Sequence, residues 1–275
     1  MRTLRNYSAG AHPTVSPTMR TLRIIGALCF RTWQKTARRP TTLAFSFVQP
    51  IMWILFFGFL FQRYDIGVGE GNASYLDFLV AGVCAMTVLF GASQSGIGLL
   101  RDLQTGFLGR MLRSTPVPLA VIGGKVLADV LRLMAQALVI AMLGVLIGAK
   151  LTASANGIIV TAVALFLFAI AFCSISCFVA LKTGAQESMA TFVHLVNMPL
   201  LFTSSALVPT RHMPGWLATL SQFNPLTAAV DVTRNALLFD QYGSAWHDLT
   251  LLAGLAAMSL LLIASALRRV QPETQ

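Results

Sequence analysis

In a chain with few charges, every charged residue near an apolar run is a candidate for chemistry. Residues 221–238 (SQFNPLTAAVDVTRNALL) lie between two strongly apolar segments. Asn224-Pro225 breaks a helix there, because proline lacks an N–H and pushes the residue before it out of the α region. An amphipathic helix follows, with Ala229, Val230 and Leu237 among apolar neighbours and Asp231 and Arg234 three apart. Such a broken, charged helix pair is costly in lipid and is tolerated where protein or water satisfies its polar groups. Asn224, Pro225, Asp231 and Arg234 are therefore candidate functional residues. A second group is 101–118 (RDLQTGFLGRMLRSTPVP), where Arg101, Arg110 and Arg113 stand against Asp102. A third pair, Lys125 and Asp129, has the i,i+4 spacing that allows pairing on one helix face. Occupying the polar end of a span would explain that pair equally well.

Nucleophilic, metal and phosphate chemistry are poorly represented. Gly91–Gly98 (GASQSGIG) has the glycine spacing of a phosphate loop, but Ile97 stands where the lysine belongs. Gly123-Gly124-Lys125 has the lysine but Leu119 replaces the upstream glycine. ATP hydrolysis by this chain is thus not expected. No HExxH, nucleophile elbow or catalytic carboxylate pair occurs. The histidines (His12, His194, His212, His247) are scattered, and only His194 lies deep in an apolar run. Cys173 and Cys177 are one helical turn apart without a His or carboxylate to complete a metal site. They read as small packing residues.

The elements that must position these groups are membrane helices. The 275 residues are 56% hydrophobic and 11% charged, against about a quarter charged in soluble domains. Apolar windows long enough to cross a roughly 30 Å hydrocarbon core recur along the chain. The net charge of +10 is concentrated: eight of the 20 basic residues precede residue 40, with no acidic residue among them. That distribution fits a cytoplasmic, headgroup-facing N-terminus rather than nucleic-acid binding. No apolar h-region lies near the start, so a cleaved signal peptide is not expected.

The expected fold is all-α and polytopic, with six transmembrane helices and both termini cytoplasmic. Residues 1–20 are expected to be a flexible cytoplasmic tail. Residues 21–39 form an interfacial amphipathic helix, ended by Pro40. The spans are expected at about 43–61 (kinked at Pro50), 76–100, 133–149, 157–181, 188–208 and 247–267, with 271–275 a short tail. An acidic-leaning outer loop follows the first span and includes the sequon Asn72-Ala73-Ser74. Small residues in the second span (Gly82, Gly91, Ser93, Ser95, Gly96, Gly98) allow close packing in lipid. The segment 209–245 is expected on the outer side.

Residues 75–129 resemble the permease subunit of type-2 ABC exporters, the family that includes daunorubicin and doxorubicin resistance permeases. The likeness lies in an apolar span, a charge cluster with glycine, the Thr115-Pro116-Val117-Pro118 ending and the Gly124-Lys125 start. Residues 205–235 (SALVPTRHMPGWLATLSQFNPLTAAVDVTRN) carry the more specific likeness. The six-span pattern after a basic interfacial helix agrees, and the resemblance covers nearly all of 21–270. Family members usually carry Glu near Asp102 or Gln104, and Thr105-Gly106 is inverted relative to their commonest order.

The resemblance implies a single permease domain over 21–270, in which 101–113 is a coupling helix docking on a separate nucleotide-binding subunit. Arg101, Asp102, Gly106, Arg110, Arg113 and Pro116 are its expected coupling residues. It also implies that 212–235 forms two re-entrant helices at an outer gate, with Asn224, Pro225, Asp231 and Arg234 as gate residues. The chain itself would bind no cofactor or metal; ATP and Mg would sit on two copies of a partner ATPase. A second permease chain, identical or not, would complete the unit in the cell inner (plasma) membrane. The implied cargo is a hydrophobic or amphipathic compound: a drug, antibiotic, lipid or secondary metabolite. Export of a polysaccharide or lipid-linked glycan, and a non-transporting sensor or immunity role, stand as alternatives.

Overall fold

The computed structural model describes residues 17–38, 40–61, 74–114, 118–152, 154–243 and 245–270. The regular structure among these residues is all helix, with no strand among them. Helix α1 (Pro17–Ala37) starts earlier than expected, so residues 17–20 belong to it and not to a tail. Proline at the first helical position loses no hydrogen bond and has φ already set for the helix. Residues 1–16, the loop 62–73 with its sequon, and the tail 271–275 lie outside the described residues. Helix α2 (Pro40–Leu60) also opens on a proline and continues through Pro50.

Helix α3 (Tyr75–Ser93) is the centre of the bundle and buries almost every residue, while α4 (Ser95–Gln104) continues its direction. A capping box starts α3: Asp77 N–H donates to Ser74 Oγ (3.3 Å) and Ser74 N–H donates to Asp77 Oδ2 (2.7 Å). The other carboxylate oxygen of Asp77 accepts from Lys150 N–H at 2.6 Å. One acidic side chain thus ties the start of α3 to the loop between α6 (Pro118–Ile147) and α7 (Ala155–Thr183). Ser154 caps α7 by accepting from Gly157 N–H (3.0 Å). Gly184, in the left-handed region at φ 66, ends α7.

Helix α8 (Gln186–Phe202) stops short of the expected 208, because residues 203–209 coil into turns. After a 3₁₀ turn at Thr210–His212 come α9 (Gly215–Gln222), α10 (Pro225–Arg234) and a π-helical turn, Asn235–Phe239. Helix α11 (Ala245–Val270) returns along α7. Around α3 pack α2, α6, α7 and α10, while α1 lies against α6. Among the described residues four segments are long and apolar enough to cross a membrane: Tyr75–Gln104, Leu119–Ile147, Ala155–Thr183 and Ala245–Leu267. Ala44–Leu60 is apolar but shorter.

The discontinuity between α3 and α4 at Gln94 frees backbone groups at the buried residues Ser93 and Gly96, which need partners inside the bundle. Ser176 of α7 serves both sides: it accepts from Gly96 N–H (3.0 Å) and donates to Ser93 C=O (2.6 Å). Ser93 Oγ donates in turn to Asn197 Oδ1 of α8 (2.8 Å). Leaving both backbone groups unpaired costs about 1–3 kcal/mol. Ser176→Ala should therefore lower the thermal midpoint in detergent by about 3–8 °C. Exposed Ser265→Ala should leave it within about 2 °C; equal midpoints for the two variants would refute this role for Ser176.

Candidate functional site

The polar groups gather at two opposite ends of the α3–α4 rod. At the first end, Thr105 closes α4 and Gly106 turns the chain with φ 67. The left-handed conformation is cheap for glycine and strained for other residues. The single helix expected over 101–113 is thus an elbow, with α5 (Phe107–Ser114) turned away from α4. Asp102 is not displayed outward for a partner: it is 4% exposed and faces α1. Arg31 makes two hydrogen bonds to its carboxylate (3.1 and 3.3 Å), and Lys35 a third (3.3 Å). The Arg31 guanidinium also lies 3.5 Å over the Phe107 ring, a cation–π contact that pins the elbow to α1. Arg31 and Lys35 therefore hold α1 to α4 rather than only facing headgroups.

Beside this clasp, Lys125 and Asp129 of α6 form the ion pair that their spacing allowed, 2.5 Å apart. Ser95 Oγ donates to Asp129, and Cys177 Sγ lies 3.5 Å from the same hydroxyl. A turn further along α6, Arg132 donates to Gln136 Oε1 (3.4 Å), and Gln136 Nε2 donates to Ser46 C=O of α2 (3.1 Å). These groups line a cavity of about 570 Å³ bounded by α1, α2, α3, α4, α6 and α8. Its apolar wall includes Trp53, Met86, Phe90 and Met198; its polar wall includes Gln49, Gln94 and His194. Arg101 lines it as well, while Arg110 on α5 is exposed. Neither has an ion-pair partner among the described residues. Arg113 belongs to α5, and Pro116 lies outside the described residues.

At the opposite end, Arg234 is 7% exposed and organises the segment around it. Its guanidinium donates to Ser205 C=O (3.0 Å) and Asp231 Oδ1 (3.3 Å), and lies 3.5 Å over the Phe78 ring. Ser205 Oγ donates to the same Asp231 oxygen at 2.6 Å. A Cβ on Gly82 would run into Ala206 C=O, so the glycine lets the 203–209 turn sit directly on α3. Asn224 caps α10 by accepting from Leu226 N–H (2.8 Å). Its amide donates to Leu200 C=O (2.7 Å) and Thr203 Oγ1 (2.9 Å), binding the α9–α10 break to the end of α8. Pro225 occupies the first position of α10. The four residues singled out at this end thus tie α10 and its preceding break to the end of α8 and the turn after it, in a knot where Asn224 and Arg234 are buried and Asp231 is partly exposed. In the neighbouring loop, hydroxyls of Ser154 and Tyr242 donate to Asp240, whose carboxyl they hold below the usual carboxylate range.

Both polar ends lie within residues 23–238, which match the model of the family described as ABC-2 type transporter. The chain belongs to this family. It is 32% identical over 202 residues to the transport permease ycf38 of Cyanophora paradoxa, covering 72% of this chain and 68% of that one. Porphyra purpurea ycf38 is 29% identical over 211 residues, 76% and 72% of the two chains. The daunorubicin resistance ABC transporter permease protein DrrB1 of Streptomyces coeruleorubidus is 26% identical over 199 residues, 72% and 69% of the two. An ABC-2 permease is the membrane subunit of a transporter whose ATPase is a separate subunit.

Sequence reading missed how the permease brings Arg31, Lys35, Ser95, Arg132 and Gln136 together, since they come from three distant segments. The usable signal was Arg132 itself, a cation well inside an apolar run. Asp102→Asn removes the carboxylate that Arg31 and Lys35 share, and should loosen α1 from α4. With buried Cys84, Cys173 and Cys177 replaced by serine, maleimide should then label Cys29 of α1 several-fold faster. An unchanged labelling rate would show that α1 is held by its apolar face alone.

Proposed function

We propose that this ABC-2 permease is the membrane-spanning part of an ATP-driven exporter that moves a hydrophobic or amphipathic compound out of the cytoplasm or inner leaflet. The cavity between α1, α2, α4, α6 and α8 carries the reading, because it lies directly behind the α4–α5 elbow. Any displacement of the elbow changes the wall that holds Arg101 and Asp102. ATP-driven closure of two partner ATPases would shift the permease between closed and open pathways. In this reading α5 docks on the ATPase through Arg110 and Arg113. Arg101, Asp102 and Gly106 shape the elbow behind it, and Pro116, outside the described residues, belongs to the same coupling segment by the family resemblance.

Six crossings follow if Ala44–Leu60 and α8 are counted with the four longer segments. Each has 17 residues, which is about 26 Å of rise and close to the hydrocarbon thickness. Helices α9 and α10, with 8 and 10 residues, are too short to cross and would dip into the outer leaflet as a re-entrant pair. Positive charge on α1 supports a cytoplasmic position for that end and for both termini, in a cell inner (plasma) membrane. A second permease chain, identical or related, would complete the translocation unit.

Purification of the tagged permease in mild detergent should bring down an ATPase at about one copy per permease chain. Arg110→Glu with Arg113→Glu should leave membrane insertion intact and abolish most permease-dependent change in ATPase rate. Unchanged coupling would remove α5 from the docking role. The double variant Asp231→Ala with Arg234→Ala should cut export at least tenfold while the ATPase still co-purifies. Unaltered export would make the knot purely structural.

A further inference from the structure

The cavity behind the elbow is lined by more positive than negative charge. Five cations line it (Arg31, Lys35, Arg101, Lys125 and Arg132) against two carboxylates, Asp102 and Asp129. Asp129 compensates Lys125, and Asp102 is shared between Arg31 and Lys35. The lining therefore carries a surplus of three positive charges, and Arg101 and Arg132 have no carboxylate partner among the described residues. Arg132 lies furthest along its helix, about 20 Å from the start of α6. It is half-buried within the Leu119–Ile147 segment, and it donates a hydrogen bond to a neutral amide, Gln136. A cation held at such depth is expensive unless an anion or water reaches it. The same lining includes Trp53, Met86, Phe90 and Met198, which are apolar and adaptable. A volume of about 570 Å³ is in the range of small-molecule sites.

We propose that this cavity binds an amphiphile with an anionic head, of the phosphate or carboxylate class, and an apolar tail. The head is held by Arg101 and Arg132, whose planar guanidinium groups suit bidentate contact with such oxygens. The surplus charge at Lys35 adds attraction, and the tail lies along Trp53 and Phe90. The proposal rests on the reading of this cavity as the substrate-facing one. It narrows the cargo from any hydrophobic compound to one bearing negative charge.

The test uses the permease in maltoside micelles with Trp53 as its only tryptophan. Trp33, Trp216 and Trp246 are all exposed and become phenylalanine. The probes are 12-bromododecyl phosphate and 12-bromododecyl trimethylammonium, whose bromine quenches a tryptophan beside the tail. The phosphate probe should quench Trp53 at a concentration at least tenfold lower than the ammonium probe. Inorganic phosphate, lacking a tail, should not change the emission. Arg132→Gln should reduce the preference about tenfold, and Arg101→Gln, at an exposed position safe for folding, several-fold. Equal quenching by the two probes, or an unchanged preference in both variants, would overturn the assignment.

Lipids extracted from the purified permease separate the two sources of such a ligand. Enrichment of anionic phospholipid over the membrane average points to a lipid cargo. A retained phosphate preference without enrichment points to a soluble amphiphile. Because quenching needs no ATPase, its outcome is independent of co-purification. Failure to recover an ATPase would sink the transport reading and leave the charge preference standing; equal quenching with the ATPase present would do the reverse.

Discussion

Inside an apolar bundle, a charge or an open backbone group persists only where the chain itself brings a partner to it. Most of this architecture follows from that constraint. Asp102 ends the long α3–α4 rod, and its carboxylate recruits Arg31 and Lys35 from a helix 67 to 71 residues earlier in the chain. Arg234 stands at the other end and draws in Ser205, Asp231 and the Phe78 face. Between them Ser176 closes the gap in the rod. The surrounding core is Leu, Val, Ala and Phe, which packs but does not choose a register. The polar contacts supply the register.

The two ends are alike in chemistry and different in exposure. At the Arg234 end it is the cation that is buried, held by a backbone carbonyl and an aromatic face, while Asp231 stays 36% exposed. At the Asp102 end the ion pairs border a cavity, and Arg31 and Lys35 remain a third or more exposed. Pairs open to water are weaker and exchange partners more readily. A motion that reshapes the bundle is therefore easier to start at the α1–α4 clasp than at the α10 knot.

Helical class, the apolar runs, the Asn224 break and the Lys125–Asp129 pair were legible in the sequence because each is local. Helix propensity, an Asn-Pro step and an i,i+4 spacing need no knowledge of what lies across the bundle. The elbow at Gly106 was not read, although its glycine was noticed, because a single helix over 101–113 satisfies the charge pattern equally well. Only the positive φ distinguishes them. The burial of Asp102 was hidden for a different reason. An acidic residue among arginines reads as a surface cluster until the partner helix is placed against it. The cavity was least visible, since its lining comes from six helices and its cations are scattered between residues 31 and 132.

The rod that joins the two ends also limits how they can communicate. The Tyr75–Gln104 segment has 30 residues and is the most buried of the crossing segments. Close-packed interiors shift between discrete arrangements rather than deform smoothly. Its one discontinuity, at Gln94, is stitched to α7 and α8 through Ser176, Ser93 and Asn197. A displacement of α4 imposed through the elbow must therefore either carry α3 with it, or open the stitched joint and lose those hydrogen bonds. The first route moves Phe78 and Tyr75 against the Arg234 knot; the second widens the cavity without disturbing the far end. The small-residue contacts at Gly96 and Gly82 leave no slack for an intermediate arrangement. Under the proposed transport cycle, coupling between the ends would thus be a choice between two packings of one helix, with the hydrogen bonds of Ser176 favouring the packing seen here.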